Sequence, residues 1–494
     1  MPNVTRRAFI AGAAAIPFSV WLEKYGWAQT TTRVRYDARS TQGKAMLQIY
    51  KQAVGKMKNK TIIPEGDPRS WTFQWYTHWV KGSTTKTAEL NRIYPSPSPW
   101  RSLAQEMWET CQAHGPGEDE NFFLPWHRMF VYYFESIVRQ VSGNNTFTLP
   151  YWNYSTADTT IRGVLPPEFR DSASPLFEVK RNSGVNNGKP IQQGQPDDPL
   201  SLNSLRQCTY KPSGVNQGFN LNLDSTLHGN VHVLVGNSQN MGSVPWAAGD
   251  PIFWMHHCNI DRLWASWNAA GRKNPVNDPN WLGKTFIFAN AAGQRVVAKV
   301  DNFKDIAALG YRYDRLEPVP PCPTTLTSPG ITEAGSTKRA SVKAPVTLGA
   351  APIRATLETP AGVASTSLAD RVKVLPANKR LYLVLKNLRA QAQPGILYHV
   401  YLELPAGTAG QQGEQYHVGA VNFFDAVGHG DHQGAPAAGA QGSAKFYSFD
   451  ITDLAKSLQS KGKLSAKPVI TIAPAGQPAA EAKPVVGDIS VVEQ

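Results

Sequence analysis

The sequence predicts a mainly α N-terminal domain followed by a mostly β C-terminal domain. Apolar residues at helical spacing, on segments that carry most of the histidines, indicate the first domain. Short β-branched and aromatic runs bounded by Gly and Pro indicate the second. A Pro, Thr, Ser and Gly-rich stretch between them is typical of a linker. At 494 residues, the chain is long enough for each domain to have its own core.

The composition is that of a globular protein, with 41% hydrophobic and 10% aromatic residues. The formal net charge of +13 comes from basic residues scattered along the chain. No basic run alternates with aromatics as a nucleic-acid groove requires, so we expect a solvated basic surface and no nucleic-acid partner. The four cysteines, Cys111, Cys208, Cys258 and Cys322, do not have the pattern of a disulfide framework, and their three pairings stay open.

The N-terminal residues 1–28 have the pattern of a twin-arginine export signal. Arg6 and Arg7 precede an apolar run from Ala8 to Leu22, and a small-residue stretch ends at Ala28. The run is too short to span a bilayer, and no later segment is a candidate. We expect export through the twin-arginine machinery to the periplasm or the extracellular space, without a membrane span.

The first helices are predicted from apolar and aromatic spacing. Thr41 to Lys58 has apolar residues at helical intervals and is predicted to be a packed helix. Trp71 to Val80 carries His78 among aromatic residues. A lone buried histidine is more often a hydrogen-bonded core residue than a ligand. The other histidines of the chain favour a ligand role for His78.

The next helix carries the motif FLPWHR. Leu124 and Pro125 are predicted to open it, and it holds His127 and Glu135. The spacing of its apolar residues predicts that one face packs inward. His114 lies in the Gly-rich loop before this helix.

A second group of histidines follows later in the chain. His228 and His232 stand four residues apart and are expected to share one helical face. Residues 250–267, DPIFWMHHCNIDRLWASW, predict a helix opened by an N-cap Asp and a Pro. His256 and His257 in this helix point about 100° apart, so at most one of them is expected to belong to any one site.

The histidine pattern predicts a metal centre. Seven of the eleven histidines fall between residues 78 and 257, in two groups that are each tied to an aromatic-rich helix. The simplest interpretation is that the two groups form two similar halves of one metal site, which face each other. The Glu-x-x-His pattern of di-iron bundles is absent at the histidine positions, and magnesium and calcium prefer oxygen ligands. Zinc with three histidines is an alternative, but imidazole-only sites suit copper that cycles between two oxidation states. The sequence therefore predicts a dinuclear copper centre that binds dioxygen.

The motifs FLPWHR with Glu135, LHGNVH, DPIFWMHHCNIDRLW and YRYD resemble the copper-binding halves of the tyrosinase, catechol oxidase and hemocyanin family, the type 3 copper proteins. The resemblance covers roughly residues 70 to 314. It implies a four-helix bundle that holds two copper ions. The implied ligands are His78, His114 and His127 for the first copper, and His228, His232 and His257 for the second. His256 would lie just outside the ligand set.

The resemblance also implies the domain organisation. The export signal at 1–28 precedes a dicopper catalytic domain at 29–314, a linker at 315–345 and a β-rich domain at 346–494. In plant polyphenol oxidases a similar β-rich domain covers the entrance and keeps the enzyme latent. Strands are expected at residues 380–385 and 397–402.

The stretch Gln415 to Phe424 is predicted to supply the side chain that plugs the entrance. Phe423 and Phe424 are the candidates, with burial in the strand core as the alternative interpretation. The pair His429 and His432, in the motif GHGDH, is interpreted as part of a solvated loop, since nothing fixes its geometry for a metal.

The function that the resemblance implies is oxidation of small phenols by O2. A tyrosinase hydroxylates monophenols at the ortho position and oxidises o-diphenols to o-quinones. The alternatives are a catechol oxidase acting on o-diphenols only, a hemocyanin-like oxygen carrier and, more distantly, a zinc hydrolase. The export signal and the absence of a multi-unit repeat argue against the carrier. A copper chaperone is a candidate partner.

Three further residues are expected around the copper ligands and at the substrate entrance. Val244, thirteen residues before His257, stands where plant enzymes carry a gating phenylalanine, and it leaves a wider entrance. Gly229 follows His228 at a position where strongly hydroxylating members often have an asparagine that polarises a water together with a glutamate. Asp224, one turn before His228, is the candidate replacement for that glutamate.

Carboxylates and a thiol complete the expected surroundings of the metal. Asp261 and Glu135 are the candidates for hydrogen bonds that orient the imidazoles. In fungal and plant members a cysteine is joined by a thioether to the second histidine of the first copper site. We therefore hypothesise a bond between Cys111 and His114, although their three-residue spacing differs from that in either group.

Overall fold

The chain forms a helical core followed by a region of β-sheets, as predicted. The computed structural model describes residues 32–112, 120–322, 336–343, 345–359, 367–408, 410–427 and 446–494. The predicted export signal, His114 and the pair His429 and His432 lie outside the described residues. No helix in the described ranges has the length and apolar character needed to cross a membrane.

The described α-helices are Thr41–Lys58, Trp71–His78, Lys86–Ile93, Pro99–Met107, Phe123–Ser142, Gly218–Leu223, Gly229–Val235, Val244–Ala247, Ile252–Ala269, Pro279–Gly283, Val300–Phe303, Leu368–Lys373 and Thr452–Ser460. The described strands are β1 Arg33–Arg35, β2 Thr285–Ala289, β3 Arg295–Lys299, β4 Tyr311–Tyr313, β5 Thr337–Ser341, β6 Val346–Thr347, β7 Ile353–Thr356, β8 Leu381–Arg389, β9 Tyr398–Leu402, β10 His417–Val421, β11 Tyr447–Asp450, β12 Val469–Pro474 and β13 Val485–Glu493.

Two long helices form the centre of the helical core. We call Phe123–Ser142 the His127 helix and Ile252–Ala269 the tandem-histidine helix. The His127 helix begins one residue before the predicted start, and Gly143 ends it in the left-handed conformation with φ 72°. The two helices pack through aromatic rings, and the centroids of Phe134 and Trp254 lie 3.5 Å apart in nearly parallel planes.

The start of the tandem-histidine helix is tied down by a buried carboxylate. The helix begins at Ile252 rather than at Pro251, and Asp250 still caps it by accepting the Ile252 N–H at 3.1 Å. Asp250 also pairs with Arg181 at 2.7 Å, and both side chains are fully buried. The N-terminus of this helix is therefore held in place by a buried ion pair as well as by packing.

The predicted first helix is confirmed at Thr41–Lys58. Ser40 caps it by accepting the Gly43 N–H at 2.9 Å. Its buried Tyr50 packs edge-on against Phe134 and donates a hydrogen bond to the Pro251 carbonyl at 2.9 Å. The helix thus covers the junction of the two central helices.

A buried charged network joins the two central helices to two strands. Asp261 accepts hydrogen bonds from Arg128 at 2.5 Å, from Arg35 at 3.0 Å, and from the hydroxyls of Tyr311 and Tyr313 at 2.6 Å each. β1 and β4, which carry Arg35 and the tyrosines, pair in parallel. Burial alone would raise the pKa of Asp261, but the two guanidinium groups and the hydroxyls hold that pKa below its usual value.

Glu135 extends this network along the His127 helix. It accepts hydrogen bonds from Arg35 at 2.9 Å, from Arg139 at 2.7 Å and from the Leu149 N–H at 2.8 Å. Among the described residues, neither Glu135 nor Asp261 forms a hydrogen bond with an imidazole, which contradicts the prediction that these carboxylates orient the described histidine rings directly. Buried guanidinium groups lie closer to them, and pairing with a buried opposite charge offsets the desolvation of each carboxylate.

The C-terminal region contains two sheets that share one core. One has the strand order β10-β9-β12-β7, and the other has the order β11-β8-β13-β5 with β6 paired to β13. Both predicted strands are confirmed, as β8 and β9. The predicted linker is too long at its C-terminal end, because Thr337–Ser341 pairs as β5 with β13. Pairing to an established strand overrides the polar composition that suggested a linker.

One disulfide lies in the helical part. Cys208 and Cys322 are bonded across 114 residues, which settles the pairing that the sequence left open. Cys111 and Cys258, the two cysteines near histidines, are buried and are not part of this disulfide.

We predict that Asp261→Asn destabilises the fold by about 3–5 kcal/mol, because it leaves the Arg35 and Arg128 guanidinium groups buried without their shared negative charge. Urea unfolding at neutral pH measures this change. The matched control is Asp370→Asn, which removes an exposed carboxylate that pairs with Lys373, and we expect no measurable change there. Equal midpoints for the two variants would contradict the assigned role of the network.

Candidate metal centre

Six buried histidines converge in the helical core. Each is at most 2% exposed. They come from four separate helical segments of the chain. They are His78, His127, His228, His232, His256 and His257.

The first cluster joins His78, Cys111 and His127. One potential donor atom from each lies within 4.8 Å of the others. The His127 Nδ1–H donates to the Phe123 carbonyl at 2.8 Å, which leaves Nε2 with its lone pair. The Cys111 sulfur lies 3.6 Å from this Nε2. The predicted third member, His114, lies outside the described residues, so its ligand role and the thioether stay predictions.

The second cluster contains four histidines, His228, His232, His256 and His257, whose donor atoms also lie within 4.8 Å of one another. The His232 Nδ1–H donates to the Met241 carbonyl at 2.8 Å. The shared helical face predicted for His228 and His232 is confirmed, since their rings are 4.6 Å apart and their Nε2 atoms 3.1 Å apart.

Asp224 lies against the Nδ1 side of the His228 ring. Its carboxylate lies 3.0 Å from His228 Nδ1, and both side chains are fully buried. Asp224 to His228 forms one π-helical turn between two α-helical segments, which the sequence pattern did not predict. Such turns are frequent at functional sites. The His228 Nδ1–H donates to the backbone carbonyl of Asp224 at 3.2 Å, so the Nε2 lone pair of His228 faces that of His232, an arrangement that a cation between them would stabilise.

The structure corrects the expectation for the tandem pair. His256 and His257 both belong to the second cluster, with ring centroids 5.0 Å apart. The Cα–Cβ bonds of the two residues do point in different directions. An imidazole side chain is nevertheless long enough for both rings to reach a cluster that lies between these two directions. His256 lies 5.3 Å from His228, whereas His257 stacks on His127 at 4.1 Å with a 6° interplanar angle.

The tandem rings are held neutral. Burial, followed by the neighbouring imidazoles, lowers the pKa of His256 and of His257 well below the usual value. None of their ring nitrogens makes a hydrogen bond within the described part of the chain. A neutral buried imidazole with a free lone pair is a suitable metal ligand.

The remaining predicted site residues lie in the same region. Val244 is fully buried at the start of the helix Val244–Ala247. Its role at an entrance stays a prediction. Gly229 is covered by the C-terminal region, because a Cβ at this position would lie 2.7 Å from both polar atoms of the Asn422 amide.

The C-terminal region inserts one aromatic side chain into the histidine cluster. The Phe424 ring stacks on His232 at 4.2 Å with a 15° interplanar angle, and its centroid lies 5.9 Å from that of His228. Phe423 instead belongs to the core of the sheets. The sequence named both residues but could not separate them, since two neighbours on an extended segment point in opposite directions.

Comparisons with known proteins agree with this geometry. Residues 68–218 and 202–270 match the family profile "Common central domain of tyrosinase", and residues 337–494 match a domain of unknown function, DUF7868. Tyrosinase HcTyr1 of Hahella sp. (strain CCB-MM4) is 29% identical over 456 residues, which cover 84% of this chain and 89% of that protein. The latent form of the chloroplastic polyphenol oxidase of Prunus armeniaca is 24% identical over 385 residues, 72% of this chain and 60% of that protein.

Solved structures share the fold at lower identity. Latent apple tyrosinase has a TM-score of 0.59 at 20% identity, covering 94% of this chain and 98% of that one. Recombinant latent aurone synthase, a polyphenol oxidase, has a TM-score of 0.61 at 17% identity, with 94% and 89% covered. Both contain a helical core and a C-terminal part over the same span. From the matched profile, the bacterial relative and the shared fold, we conclude that residues 68–270 contain the common central domain of tyrosinase and that the chain as a whole is similar to tyrosinases and polyphenol oxidases with a C-terminal extension.

Proposed function

We propose that this chain is a tyrosinase, which hydroxylates monophenols at the ortho position and oxidises o-diphenols to o-quinones with dioxygen. Similarity to tyrosinases and polyphenol oxidases supports copper-dependent oxidation of phenols in general. The observation that carries the proposal is the convergence of two clusters of buried imidazoles, which meet where His127 stacks on His257.

The donor set fits a pair of copper ions. Its members are mainly imidazole nitrogens, and the Nδ1–H groups of His127, His228 and His232 donate to backbone carbonyls, so the Nε2 atoms carry the lone pairs that could bind a metal. The proposed ligands are His78, His114 and His127 for the first copper, and His228, His232 and His257 for the second.

When bound, a copper pair supplies the redox chemistry that couples reduction of dioxygen to oxidation of a phenol. The protein holds the rings in fixed orientations through the Phe123, Asp224 and Met241 backbone carbonyls. Aromatic side chains exclude water around them, and Phe253 lies 4.3 Å from His257. Rings fixed in this way need little reorganisation when the metal binds.

We expect His257→Asn to lose about half of the bound copper and nearly all phenol turnover, since one of the two sites would lack a ligand. Metal analysis of the purified protein and oxygen uptake with a diphenol measure both quantities. His256→Asn is the matched control, and we expect it to keep its full copper content. The opposite pattern, with copper lost in His256→Asn alone, would reassign the ligand.

Oxidation of o-diphenols only is the second candidate function, and Gly229 favours it. This position lacks the asparagine that accompanies strong hydroxylation in the family. The Asp224 carboxylate, the expected replacement for the water-polarising glutamate, is directed at His228 Nδ1 at 3.0 Å. An imidazole that already engages Asp224 leaves this carboxylate less able to polarise a water.

Separate assays with a monophenol and a diphenol distinguish the two functions. A tyrosinase forms quinone from both substrates, whereas quinone from the diphenol alone would establish a catechol oxidase. We expect Gly229→Asn to raise the monophenol rate relative to the diphenol rate. Because the new side chain would collide with Asn422, the test uses the double variant Gly229→Asn/Asn422→Gly, with Asn422→Gly alone as the control.

We further propose that the C-terminal region is a lid over the copper centre. Phe424 stacks on His232, where it occupies space that a phenol ring would need. Asn422 donates hydrogen bonds to the Ser225 carbonyl at 2.9 Å and to Asn230 Oδ1 at 3.0 Å. Tyr447 donates to the same Ser225 carbonyl at 2.9 Å. These contacts seat the lid on the turn that carries His228.

Phe424→Ala is expected to raise diphenol turnover of the full chain several-fold, because it clears the space beside His232 without removing a ligand. Steady-state kinetics with a small and a bulky diphenol measure the gain, which should be larger for the bulky one. Phe423→Leu, in the sheet core, is the matched control and should leave turnover unchanged. Identical rates for Phe424→Ala and the unmodified chain would rule out Phe424 as the obstruction.

Export through the twin-arginine machinery and delivery of copper by a chaperone remain part of the proposal. They rest on the residues of the N-terminal signal, Arg6 and Arg7 with the apolar run that follows.

A further inference from the structure

A second group of potential metal ligands lies away from the copper centre, where the sheets meet the helical core. It consists of Asp197, from a loop of the helical part, His399 in β9 and His417 at the start of β10. His399 Nδ1 lies 3.1 Å from Asp197 Oδ1, and His417 Nε2 lies 3.2 Å from Asp197 Oδ2. The two ring nitrogens are 3.4 Å apart.

A β-bulge brings the two histidines onto one face of their sheet. β9 and β10 are antiparallel neighbours, and Ala420 pairs with His399. Regular pairing would place His417 opposite residue 402, on the other face from His399. The register shift between His417 and Gly419 pairs His417 with Tyr401 instead, on the same face as His399.

The hydrogen-bonding pattern leaves lone pairs directed at one point. His399 Nε2 lies 3.0 Å from Gln195 Oε1, an acceptor, so Nε2 carries the hydrogen and Nδ1 of the neutral ring carries a lone pair. That Nδ1 faces Asp197 Oδ1, which is buried and accepts no hydrogen bond in the described part of the chain. In this tautomer two acceptors lie 3.1 Å apart, and their repulsion is removed either by a proton on His399 Nδ1 or by a metal cation between them.

The distances match a zinc coordination sphere. Zinc binds imidazole nitrogen and carboxylate oxygen at about 2.0–2.2 Å in a tetrahedron, whose edges are then about 3.3–3.6 Å long. The 3.4 Å separation of the two ring nitrogens matches such an edge, and each nitrogen lies at a similar distance from one Asp197 oxygen, 3.1 Å to Oδ1 and 3.2 Å to Oδ2. The contact of His399 with Gln195 is the kind of outer hydrogen bond that metal-bound histidines make.

The surroundings suit a bound cation with an open position. His399 has a side-chain exposure of 1%, and Asp197 and His417 have 14% and 13%. Asp197 and His417 line a cavity of about 700 Å³ between the helical part and the sheets. A water from this cavity can serve as the fourth ligand, as in zinc sites with two histidines and one carboxylate.

We propose that Asp197, His399 and His417 form a zinc site that joins the C-terminal region to the helical core. Two ligands come from the sheets and one from the helical part, so the ion binds only when the two are docked. Binding therefore stabilises the docked arrangement by mass action. The site is independent of the copper centre and shares no residue with it.

The test uses the full-length protein, loaded with copper, equilibrated with zinc chloride and passed through a desalting column. We expect the unmodified chain to retain about one metal ion per chain more than His417→Gln or Asp197→Asn. Total zinc and copper are counted, because copper also binds such ligands. Zinc should raise the thermal midpoint of the unmodified chain and leave that of His417→Gln unchanged.

His432→Gln, in the motif GHGDH, is the control for zinc bound elsewhere in the C-terminal region, and it should retain the extra ion. Equal total metal in the unmodified chain and in His417→Gln would overturn the proposal. Loss of the extra ion in His432→Gln, with retention in His417→Gln, would also overturn it. His399→Gln provides a second variant if Asp197→Asn fails to fold.

Discussion

The arrangement of the site depends on the shared carboxylate of Asp261. This group lies between Arg35 and Arg128, and two tyrosine hydroxyls complete its hydrogen bonds. One guanidinium comes from the His127 helix, the carboxylate from the tandem-histidine helix and the rest from the paired strands β1 and β4. A buried ion pair tolerates little displacement because each charge is desolvated. It therefore fixes the register in which His127 stacks on His257.

The histidine rings are oriented by the backbone more than by charged side chains. Backbone carbonyl oxygens of Phe123, Asp224 and Met241 accept the Nδ1–H groups of His127, His228 and His232, and the Asp224 carboxylate also lies near His228 Nδ1. The Phe123 carbonyl belongs to the helix that carries His127, and the Met241 carbonyl belongs to the turn after the helix that carries His232, so both positions follow from the backbone fold. The charged groups are thereby left to hold the helices together, while the imidazoles keep their neutral form.

Local patterns predicted much of this architecture, and contacts distant in sequence account for what was missed. The helix at Thr41–Lys58 and the helix that carries His127 follow from apolar spacing. The sequence did not predict that His256 and His257 would both lie in the second cluster. Helical geometry specifies the directions of their Cβ atoms but not the positions of the neighbouring helices. The partners of Glu135 and Asp261 depend on Arg35, which is 100 and 226 residues away. Phe424 reaches His232 across an interface that no periodicity describes.

The disulfide has a bearing on how the lid could be removed. Cys322 is fastened to Cys208, so the end of the helical part stays anchored immediately before the segment 323–335. A protease that cuts within that segment would break the peptide chain that connects the helical part to the C-terminal region. The new C-terminus of the helical part would stay anchored by the disulfide at Cys322. The departing fragment would then be retained by non-covalent contacts, such as the hydrogen bonds of Asn422 and Tyr447, and by the proposed metal ion between the two parts. The rate of activation by proteolysis would then be set by how fast the cleaved fragment dissociates, and not by the cleavage itself.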